Sequence, residues 1–534
     1  MSSAAAPASG AAPAPAPANA PPVQHPPLEG AARVWGTVAL SAATFMNVLD
    51  SSIANVSLPA IAGDLGVSAT QGTWVITSFA VANAIAVPLT GWLTQRFGQV
   101  RLFVGSIVLF IIASWLCGLA PNMTTLIAFR ALQGFVAGPM IPLSQTLLLS
   151  SYPRAKAGLA MAMWSMTTLV APVMGPLLGG WITDNVSWPW IFYINIPVGL
   201  ASAAITWGIY RKRESGTRKV PIDSIGLALL VLWVGSLQLM LDKGKELDWF
   251  HSWEITTMAV VAVVGLAFFL VWELTEKHPV VDLSLFKRRN FWSGALATAV
   301  GYGLFFGNVV ILPLWLQQFM GYTATQAGEV MAPVGLLAIV LSPIVGLTIG
   351  KVDPRKYATF SFLVFAVVLW MRSRFNTSAD FSTILIPTLV QGVAMAFFFI
   401  PLVTLTLSGL TPDRLPAASG LSNFLRITAG AMGTSIATTL WENRATLHHA
   451  QLAESVNQGN AAATGALSSL GAAGLSPDQA LATINRLVDQ QAFMLASSDL
   501  FYASAGLFLL LIPFVWLARP AKSAAGADAA AGAH

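Results

Sequence analysis

The 534-residue sequence predicts an all-α polytopic membrane protein, with two six-helix bundles and two further membrane helices between them. Charged residues make up 10% of the chain, whereas a soluble globular domain carries about 25%. Hydrophobic residues make up 55% and fall into long continuous runs, unlike the short alternating segments of a β-barrel. A set of these runs occurs twice, and this repetition predicts the two bundles.

The runs appear in order after an N-terminal tail. Residues 1–32 are rich in Ala and Pro, which predicts a disordered cytoplasmic segment. Fourteen apolar runs follow, at about 35–60, 70–93, 102–120, 123–150, 158–182, 190–209, 224–241, 254–273, 291–317, 325–349, 357–371, 381–408, 418–441 and 499–517. Each is interpreted as a membrane helix, because a helix satisfies its own backbone polar groups within lipid.

Internal repeats set the domain division. Similar motifs recur at displacements of 255 residues (Gly91 to Gly346), 258 residues (Gln133 to Gln391) and 262 residues (Gly158 to Gly420). A six-span unit therefore recurs after two inserted spans, as in transporters built from two parallel repeats with a site at the membrane midplane. The predicted divisions are an N-terminal bundle at 33–210, inserted spans with cytoplasmic linkers at 211–290, a C-terminal bundle at 291–518 and a cytoplasmic tail at 519–534.

Basic residues predict the orientation. With the N-terminus in the cytoplasm, the inner loops hold twenty Lys and Arg residues and the outer loops hold six, including Arg372. Both termini are therefore expected in the cytoplasm. The two remaining basic residues, Arg130 and Arg426, lie within spans.

A polar segment at 442–498 is predicted to be an extracytoplasmic loop of the C-terminal bundle. Within it, Ser476, Pro477 and Asp478 indicate the start of a helix. Its apolar face is formed by Leu481, Ile484, Leu487, Val488 and Leu495. This face either packs back on the protein or binds a partner protein.

Asp50 and Arg130 are the leading candidates for proton coupling. Asp50 lies in the middle of the first span, where an aspartate costs roughly 2.5 to 3.5 kcal/mol on insertion scales. Arg130 lies in the fourth span, and the matching position in the second bundle is the uncharged Thr388. We expect Asp50 to exchange protons and Arg130 to tune their release. The alternative for both residues is a purely structural role.

Small residues and prolines are concentrated in the fifth span, at Ala171, Pro172, Gly175, Pro176, Gly179 and Gly180. They predict a helix that bends or rocks against a neighbour, or one that only packs tightly. A substrate cavity is predicted at Asn47, Asn55, Phe305, Asn308, Gln317, Glu329, Gln391, Phe397 and Arg426. Open alternatives are a first-turn acid for Glu329, a snorkelling side chain for Arg426 and lipid-facing positions for the aromatic residues.

Enzyme signatures are not found in the sequence. It contains no His-Glu-x-x-His, no Gly-x-Ser-x-Gly and no Gly-x-x-x-x-Gly-Lys-Ser/Thr pattern, so neither hydrolysis nor ATP-driven transport is indicated. We predict a protein that is not an enzyme and needs no cofactor, with the proton as its coupling ion. All six His residues lie outside the predicted spans, which argues against a His-based metal site in the membrane.

Six motifs together resemble the fourteen-span drug:proton antiporter family of the major facilitator superfamily, in particular EmrB-type multidrug efflux permeases. The motifs are LDSSIANVSLP, GWLTQRFGQVR, FRALQGFVAGP, APVMGPLLGG, WPWIFYINIPVG and GLSNFLRITAGAMGTS. The resemblance implies the major facilitator fold, a place in a bacterial inner membrane and proton-driven export of lipophilic drugs. It also implies a periplasmic membrane-fusion adaptor (EmrA-like) and an outer-membrane channel (TolC-like).

The resemblance also implies roles for individual residues. Asp50 and Arg130 match the family's coupling residues, and Ala171 to Gly180 match its antiporter motif. A cytoplasmic gating loop is matched by Gly91, Arg96, Gly98 and Arg101. Gln95 replaces the Asp that this loop usually carries, and Ala171 replaces a Gly. A proton-coupled metabolite importer of the same fold and a non-transporting membrane scaffold remain the alternatives.

Overall fold

The structure is a computed structural model that describes residues 25–67, 69–153, 156–218, 221–322, 324–457 and 459–519. Within these ranges the regular structure is helical, and no strand is present. Most of the predicted tails, at 1–32 and 519–534, lies outside the described residues. The first helix begins at Gly30, slightly before the predicted boundary.

Six long helical segments form the N-terminal half. They are α1 (Gly30–Asp64), α2 (Trp74–Phe97), α3 (Gln99–Gly118), α4 (Met123–Ser151), α5 (Ala157–Asn185) and α6 (Trp190–Tyr210). Helix α1 packs against α5 and α6, while α4 packs against α2 and α3. A 3₁₀ turn at Val87–Leu89 interrupts α2, and the regular helix of α4 is broken at Gly138 and Pro139. Such breaks are tolerated in membrane helices because neighbouring groups satisfy the freed backbone.

Two inserted helices precede the C-terminal half. Helix α7 (Ser224–Lys243) packs against α8 (Trp253–Thr275) and also against α2. The C-terminal half consists of α9 (Arg289–Phe319), α10 (Gln326–Thr348), α11 (Pro354–Arg372), α12 (Phe381–Leu407), α13 (Leu415–Ala453) and α14 (Pro477–Trp516). Helix α13 packs against α9 and α14, and it also contacts α7. The inserted pair thus touches both halves.

Eleven of these segments are long and apolar enough to cross a membrane, which makes the chain a multi-span helical membrane protein. Helices α5, α11 and α13 lie at predicted spans but fall outside this group of eleven. The total of fourteen membrane crossings therefore stays a prediction.

Capping residues explain where several helices begin. The Asp223 carboxylate accepts from Gly226 N at the start of α7, as a polar residue at an N-cap does. Asp380 caps α12 by accepting from Thr383 N at 3.0 Å. Further hydrogen bonds from Ser382 and Thr383 lower the pKa of Asp380 to about 2. At the start of α14, Ser476 and Gln479 form a reciprocal capping box, which confirms the predicted helix start.

The polar segment at 442–498 is largely helical, so the helix predicted from Ser476 onward is only part of its regular structure. Its extracytoplasmic position stays a prediction. Helices α13 and α14 contain 39 and 40 residues, or about 60 Å each, whereas the hydrocarbon core is about 30 Å thick. A short helix, Ala461–Ala472, connects them. Polar composition concealed the extension of α13 beyond residue 441, since Ala, Gln and Leu favour a helix even where its surface faces water. Of the predicted apolar face, Ile484 is buried but Leu481 and Leu487 are half exposed.

The two halves pack closely at their predicted cytoplasmic ends. A Cβ atom on Gly91 would lie 2.6 Å from the Ala417 Cβ, and one on Gly346 would lie 2.6 Å from the Gly158 carbonyl oxygen. Nearby, Asn423 of α13 donates to Gln145 of α4 at 3.2 Å. Small residues thus let α2 approach α13, and α5 approach α10, at this end of the molecule.

Candidate functional site

The centre of the N-terminal half holds a buried ion pair between Asp50 of α1 and Arg130 of α4. Arg130 Nη1 lies 2.5 Å from Asp50 Oδ2, and both side chains are 0% exposed. Asp50 is placed in the bundle because its neighbours on α1, including Met46 and Ile53, are buried among other helices. The structure therefore brings together the two residues that the sequence selected.

Three polar side chains complete the site around Asp50. Gln133 Nε2 donates to Asp50 Oδ1 at 3.0 Å, and Asn195 Nδ2 donates to the same oxygen at 2.8 Å. Gln133 also accepts from Arg130 Nη1 at 2.7 Å and donates to Ser114 Oγ at 2.8 Å. Helices α1, α3, α4 and α6 therefore meet at one carboxylate. Charge-assisted hydrogen bonds of this kind are among the stronger ones in proteins.

The residues predicted for the site from the sequence did not include Gln133, Asn195 or Ser114. Gln133 was used only as a marker of the repeat, although it lies three residues after Arg130 and so shares its helical face. Asn195 stands alone among apolar residues of α6, which is a signal for a buried polar contact. Ser114 offers no comparable signal, because serine is common at helix contacts in membranes.

Arg130 is held on several sides. Its Nε donates to the Val75 carbonyl oxygen at 3.0 Å, and its guanidinium lies 4.3 Å from the Phe79 ring centroid and 5.5 Å from that of Phe192. Nη2 has no hydrogen-bond partner. Because Arg130 keeps its charge, protonation of Asp50 would remove its negative partner and leave it to Gln133 and the rings. The position of Arg130 therefore depends on its ion pair with Asp50 as well as on these contacts.

The small-residue segment of α5 packs against α1 next to Asp50. The Ala171 carbonyl oxygen accepts from Ser52 Oγ at 3.5 Å. A Cβ atom on Gly175 would collide with Ser52, and one on Gly179 would lie 2.8 Å from Ile53. Gly180 is half-buried, whereas the Pro172 and Pro176 side chains lie outside the described residues. Close approach is therefore observed, but the bending role stays a prediction.

A carboxylate from the segment after α6 caps the helix that begins within the predicted gating loop. Gly98 has a φ of 87°, a left-handed conformation that suits glycine. Glu214, after α6, accepts from Val100 N and from Arg101 N, each at 2.9 Å. The carboxylate thus sits at the N-terminus of α3, where the helix dipole favours a negative charge. Arg96 lies 5.6 Å from the Trp92 ring centroid.

A small cavity lies between the halves. It is lined by Gln145, Trp164, Thr298, Phe399, Val403, Thr406, Leu407, Ser419, Ser422, Asn423 and Arg426. Arg426 is the one residue of the predicted cavity set that lines it. Its Nη2 donates to Asn423 Oδ1 at 2.8 Å, and its guanidinium lies 4.7 Å from the Tyr302 ring centroid. It is buried, so it does not snorkel to the surface.

Other predicted cavity residues contact their own half. Asn47 donates to the Ala137 carbonyl oxygen at 3.1 Å, within the N-terminal half. Asn308 donates to Ser504 at 3.0 Å, between α9 and α14. Phe305 packs on Phe306, with ring centroids 5.3 Å apart. These contacts do not place the three residues at the cavity between the halves.

The remaining members of the set are dispersed. Gln317 and Glu329 are exposed, and Phe397 packs on Phe360 with ring centroids 4.9 Å apart. Gln391 is buried and accepts from Arg372 Nη2 at 2.7 Å. The Asn55 side chain lies outside the described residues. For this cavity the sequence identified aromatic and polar positions, but helical spacing did not reveal which ones face the other half.

Comparison with known proteins shows the family and the fold of the chain. Residues 40–434 match the family model of the Major Facilitator Superfamily. The chain belongs to this superfamily. A crystal structure of the human organic anion transporter MFSD10 (TETRAN) matches with a TM-score of 0.56, covering 91% of this chain and all of that one. Its 12% identity supports the fold alone. The predicted major facilitator fold is therefore confirmed.

Two bacterial members of the superfamily are much more similar. The chain is 54% identical to the multidrug export protein EmrB of Escherichia coli (strain K12), over 96% of this chain and 100% of the relative. It is 51% identical to the fatty acid resistance protein FarB of Neisseria gonorrhoeae, over 93% and 98%. The resemblance to EmrB-type permeases is confirmed, and the protein is a transporter rather than an enzyme.

Proposed function

We propose that this major facilitator protein exports lipophilic toxic compounds in exchange for protons. The buried Asp50–Arg130 pair carries the proposal, because a membrane protein rarely retains two enclosed charges without a use for them. The relatives named for multidrug export and for fatty acid resistance support a drug efflux transporter. The proton is the proposed driving ion.

Protonation of Asp50 is the central step of this mechanism. A neutral Asp50 no longer holds Arg130 at 2.5 Å, so α1 and α4 lose the ion pair that fixes their relative position. Helix α5 packs on α1 two residues beyond Asp50, at Ser52. It also meets α10 at Gly158 and Gly346, where the halves are closed. A change at Asp50 can thus reach the closed end through α1 and α5.

Substrate is proposed to bind between the halves, where Arg426, Asn423 and Gln145 line the small cavity. Release of the Gly158 and Gly346 contact would open this region toward the predicted cytoplasmic side. Aromatic walls provided by Phe399 and Trp164 suit lipophilic compounds, which bind mainly by apolar contact.

Orientation and partners complete the proposal. The twenty basic residues of the predicted inner loops favour cytoplasmic termini in a bacterial inner membrane. The predicted division into bundles at 33–210 and 291–518, with inserted spans at 211–290, belongs to the same proposal. We also propose a periplasmic adaptor and an outer-membrane channel as partners, which the similarity to EmrB supports.

Everted membrane vesicles test the exchange. Addition of a lipophilic cationic dye to energised wild-type vesicles should drive dye uptake and proton efflux, and Asp50→Asn should abolish both. Asp64→Asn is the matched control, because Asp64 lies at the exposed end of the same helix. Dye uptake at the wild-type level by Asp50→Asn would contradict the role of Asp50. Protons moving in the same direction as the dye would indicate symport instead.

A further inference from the structure

The C-terminal half also buries Arg372, which has no ionic partner among the described residues. Arg372 is the last residue of α11 and is 0% exposed. Its Nη2 donates to Thr388 Oγ1 at 3.1 Å and to Gln391 Oε1 at 2.7 Å. Its Nε and Nη1 have no hydrogen-bond partner. Among the residues that the structure describes, no carboxylate forms an ion pair with it.

Its surroundings are apolar and contain another unused donor. Phe375 N donates to the Arg372 carbonyl oxygen at 3.1 Å, and the Phe375 ring stacks on Trp315 with centroids 6.1 Å apart. Trp315 Nε1 is buried and also lacks a partner. Phe365 and Ile384 belong to the same hydrophobic cluster. Arg372 therefore has two nitrogens that can only donate and lack an acceptor, and Trp315, which stacks on Phe375, has another.

Local structure does not satisfy these donors. The C-terminal end of a helix favours a cation, which helps to explain why an arginine is tolerated at the end of α11. That effect provides no acceptor for Nε or Nη1. Buried polar groups are normally hydrogen-bonded, and a buried charge is normally paired. An acceptor carrying one negative charge would satisfy both requirements.

We infer that Arg372, Thr388 and Gln391 form a binding site for a monoanionic group in the C-terminal half. The aromatic cluster around Trp315 and Phe375 suits the apolar body of a lipophilic carboxylic acid, with its carboxylate on the guanidinium. This inference rests on the proposed export function, in which such an acid is one class of substrate. A halide ion offers the same single charge and is the other source that the experiment distinguishes.

Binding to the purified full-length protein tests the site without any transport measurement. The probes are 2-naphthoate and the uncharged 2-naphthalenemethanol, titrated by calorimetry in chloride-free buffer. Wild type should bind naphthoate at least tenfold more tightly than the alcohol, and Arg372→Gln should lose that preference. Arg374→Gln is the matched control, because Arg374 lies two residues from Arg372 and its exposed guanidinium stacks on Trp370. It should keep the preference.

Chloride distinguishes a halide ion from a carboxylic acid as the anion that the site binds. If a halide occupies the site, chloride should raise the melting temperature of wild type and of Arg374→Gln but not of Arg372→Gln, and it should weaken naphthoate binding. If the site takes only a carboxylate, chloride should change neither quantity while the naphthoate preference persists. Either pattern supports the anion site.

Two results would overturn the inference: equal binding of naphthoate and the alcohol to wild type with no chloride effect, or an anion effect that Arg372→Gln retains. Should Arg372→Gln fail to fold, Arg372→Lys keeps the charge and should preserve part of the preference. Failure of wild-type vesicles to exchange dye for protons would reject the proposed function and leave the binding result intact.

Discussion

The two halves each enclose an arginine beside a glutamine, but among the described residues only the arginine of the N-terminal half pairs with a carboxylate. In the N-terminal half, Arg130 Nη1 contacts Gln133 Oε1 at 2.7 Å and Asp50 at 2.5 Å. In the C-terminal half, Arg372 Nη2 contacts Gln391 Oε1, also at 2.7 Å. The two glutamines are matched in the internal repeat, and each is the eleventh residue of its helix, α4 or α12. The arginines therefore lie at corresponding depths.

The arginines reach this depth from different helices. Arg130 extends from α4 itself, whereas Arg372 reaches α12 from the end of α11. Thr388 occupies the position on α12 that Arg130 occupies on α4. The difference separates two tasks. A carboxylate that can lose its charge suits proton exchange, and an arginine with unused donors suits an external anion.

The largest expected effect is the loss of Arg130. Arg130→Met leaves the Asp50 carboxylate buried without its ionic partner, and breaking such a pair costs about 3 to 5 kcal/mol. The melting temperature in detergent should fall sharply, and dye-driven proton efflux from vesicles should cease. Both quantities are measured against wild type.

A double variant separates charge from packing in this prediction. Asp50→Leu combined with Arg130→Met removes both charges, so it should regain most of the lost stability while transport remains uncoupled from protons. If the double variant melts as low as Arg130→Met, the unpaired carboxylate is not the cause. The Asp50–Arg130 pair and the unpaired Arg372 would then contribute to stability more similarly than their contact distances indicate.

Sequence patterns predicted the charged residues Asp50 and Arg130 of the N-terminal half but not the buried Arg372 of the C-terminal half. Asp50 and Arg130 stand out because a charge within a long apolar run is expensive. Arg372 was counted as an outer-loop residue, which is wrong, because its predicted span ended one residue too early. At a helix end, a buried arginine and a solvated one have the same local sequence. Burial here depends on how α12 packs against α11, a contact that local sequence does not encode.

The helix pattern was easier to predict than the contacts between helices. Apolar runs placed all fourteen long segments because the bilayer imposes length and composition on each one. Helix α14 was the exception, since its start near Ser476 and its membrane span at 499–517 were predicted separately, whereas one continuous helix joins them. Contacts of side chains such as Asn195 and Ser114 depend on three-dimensional packing, so their partners could not be predicted from local sequence.

An intermediate loss of stability is expected when either glutamine is replaced, and the two replacements should differ in their effect on function. Gln133→Leu and Gln391→Leu each remove a hydrogen bond to an arginine, which contributes roughly 1.5 to 3 kcal/mol. Both variants should therefore melt lower, and Gln133→Leu should lose more because Gln133 also donates to Asp50 and to Ser114. Only Gln133→Leu should shift the pH dependence of dye export, because only Gln133 also contacts Asp50, at 3.0 Å. Only Gln391→Leu should weaken naphthoate binding.

The pH profile and the naphthoate affinity are measured on both variants, so each serves as the control for the other. A shifted pH profile in Gln391→Leu would place proton coupling in both halves. Loss of naphthoate binding in Gln133→Leu would place the anion in the N-terminal half. Either result would remove the division of tasks between the two arginines.

The smallest effect on stability is expected from Arg372→Met in anion-free buffer. The substitution removes an unpaired buried charge, which is favourable, and leaves Gln391 without its donor, which is unfavourable by about 1 to 3 kcal/mol. The two contributions oppose each other, so melting should change by far less than in Arg130→Met. Naphthoate should stabilise wild type but not this variant. A loss as large as that of Arg130→Met, measured without any anion, would mean that the protein itself supplies a partner for Arg372, and the two halves would then be alike.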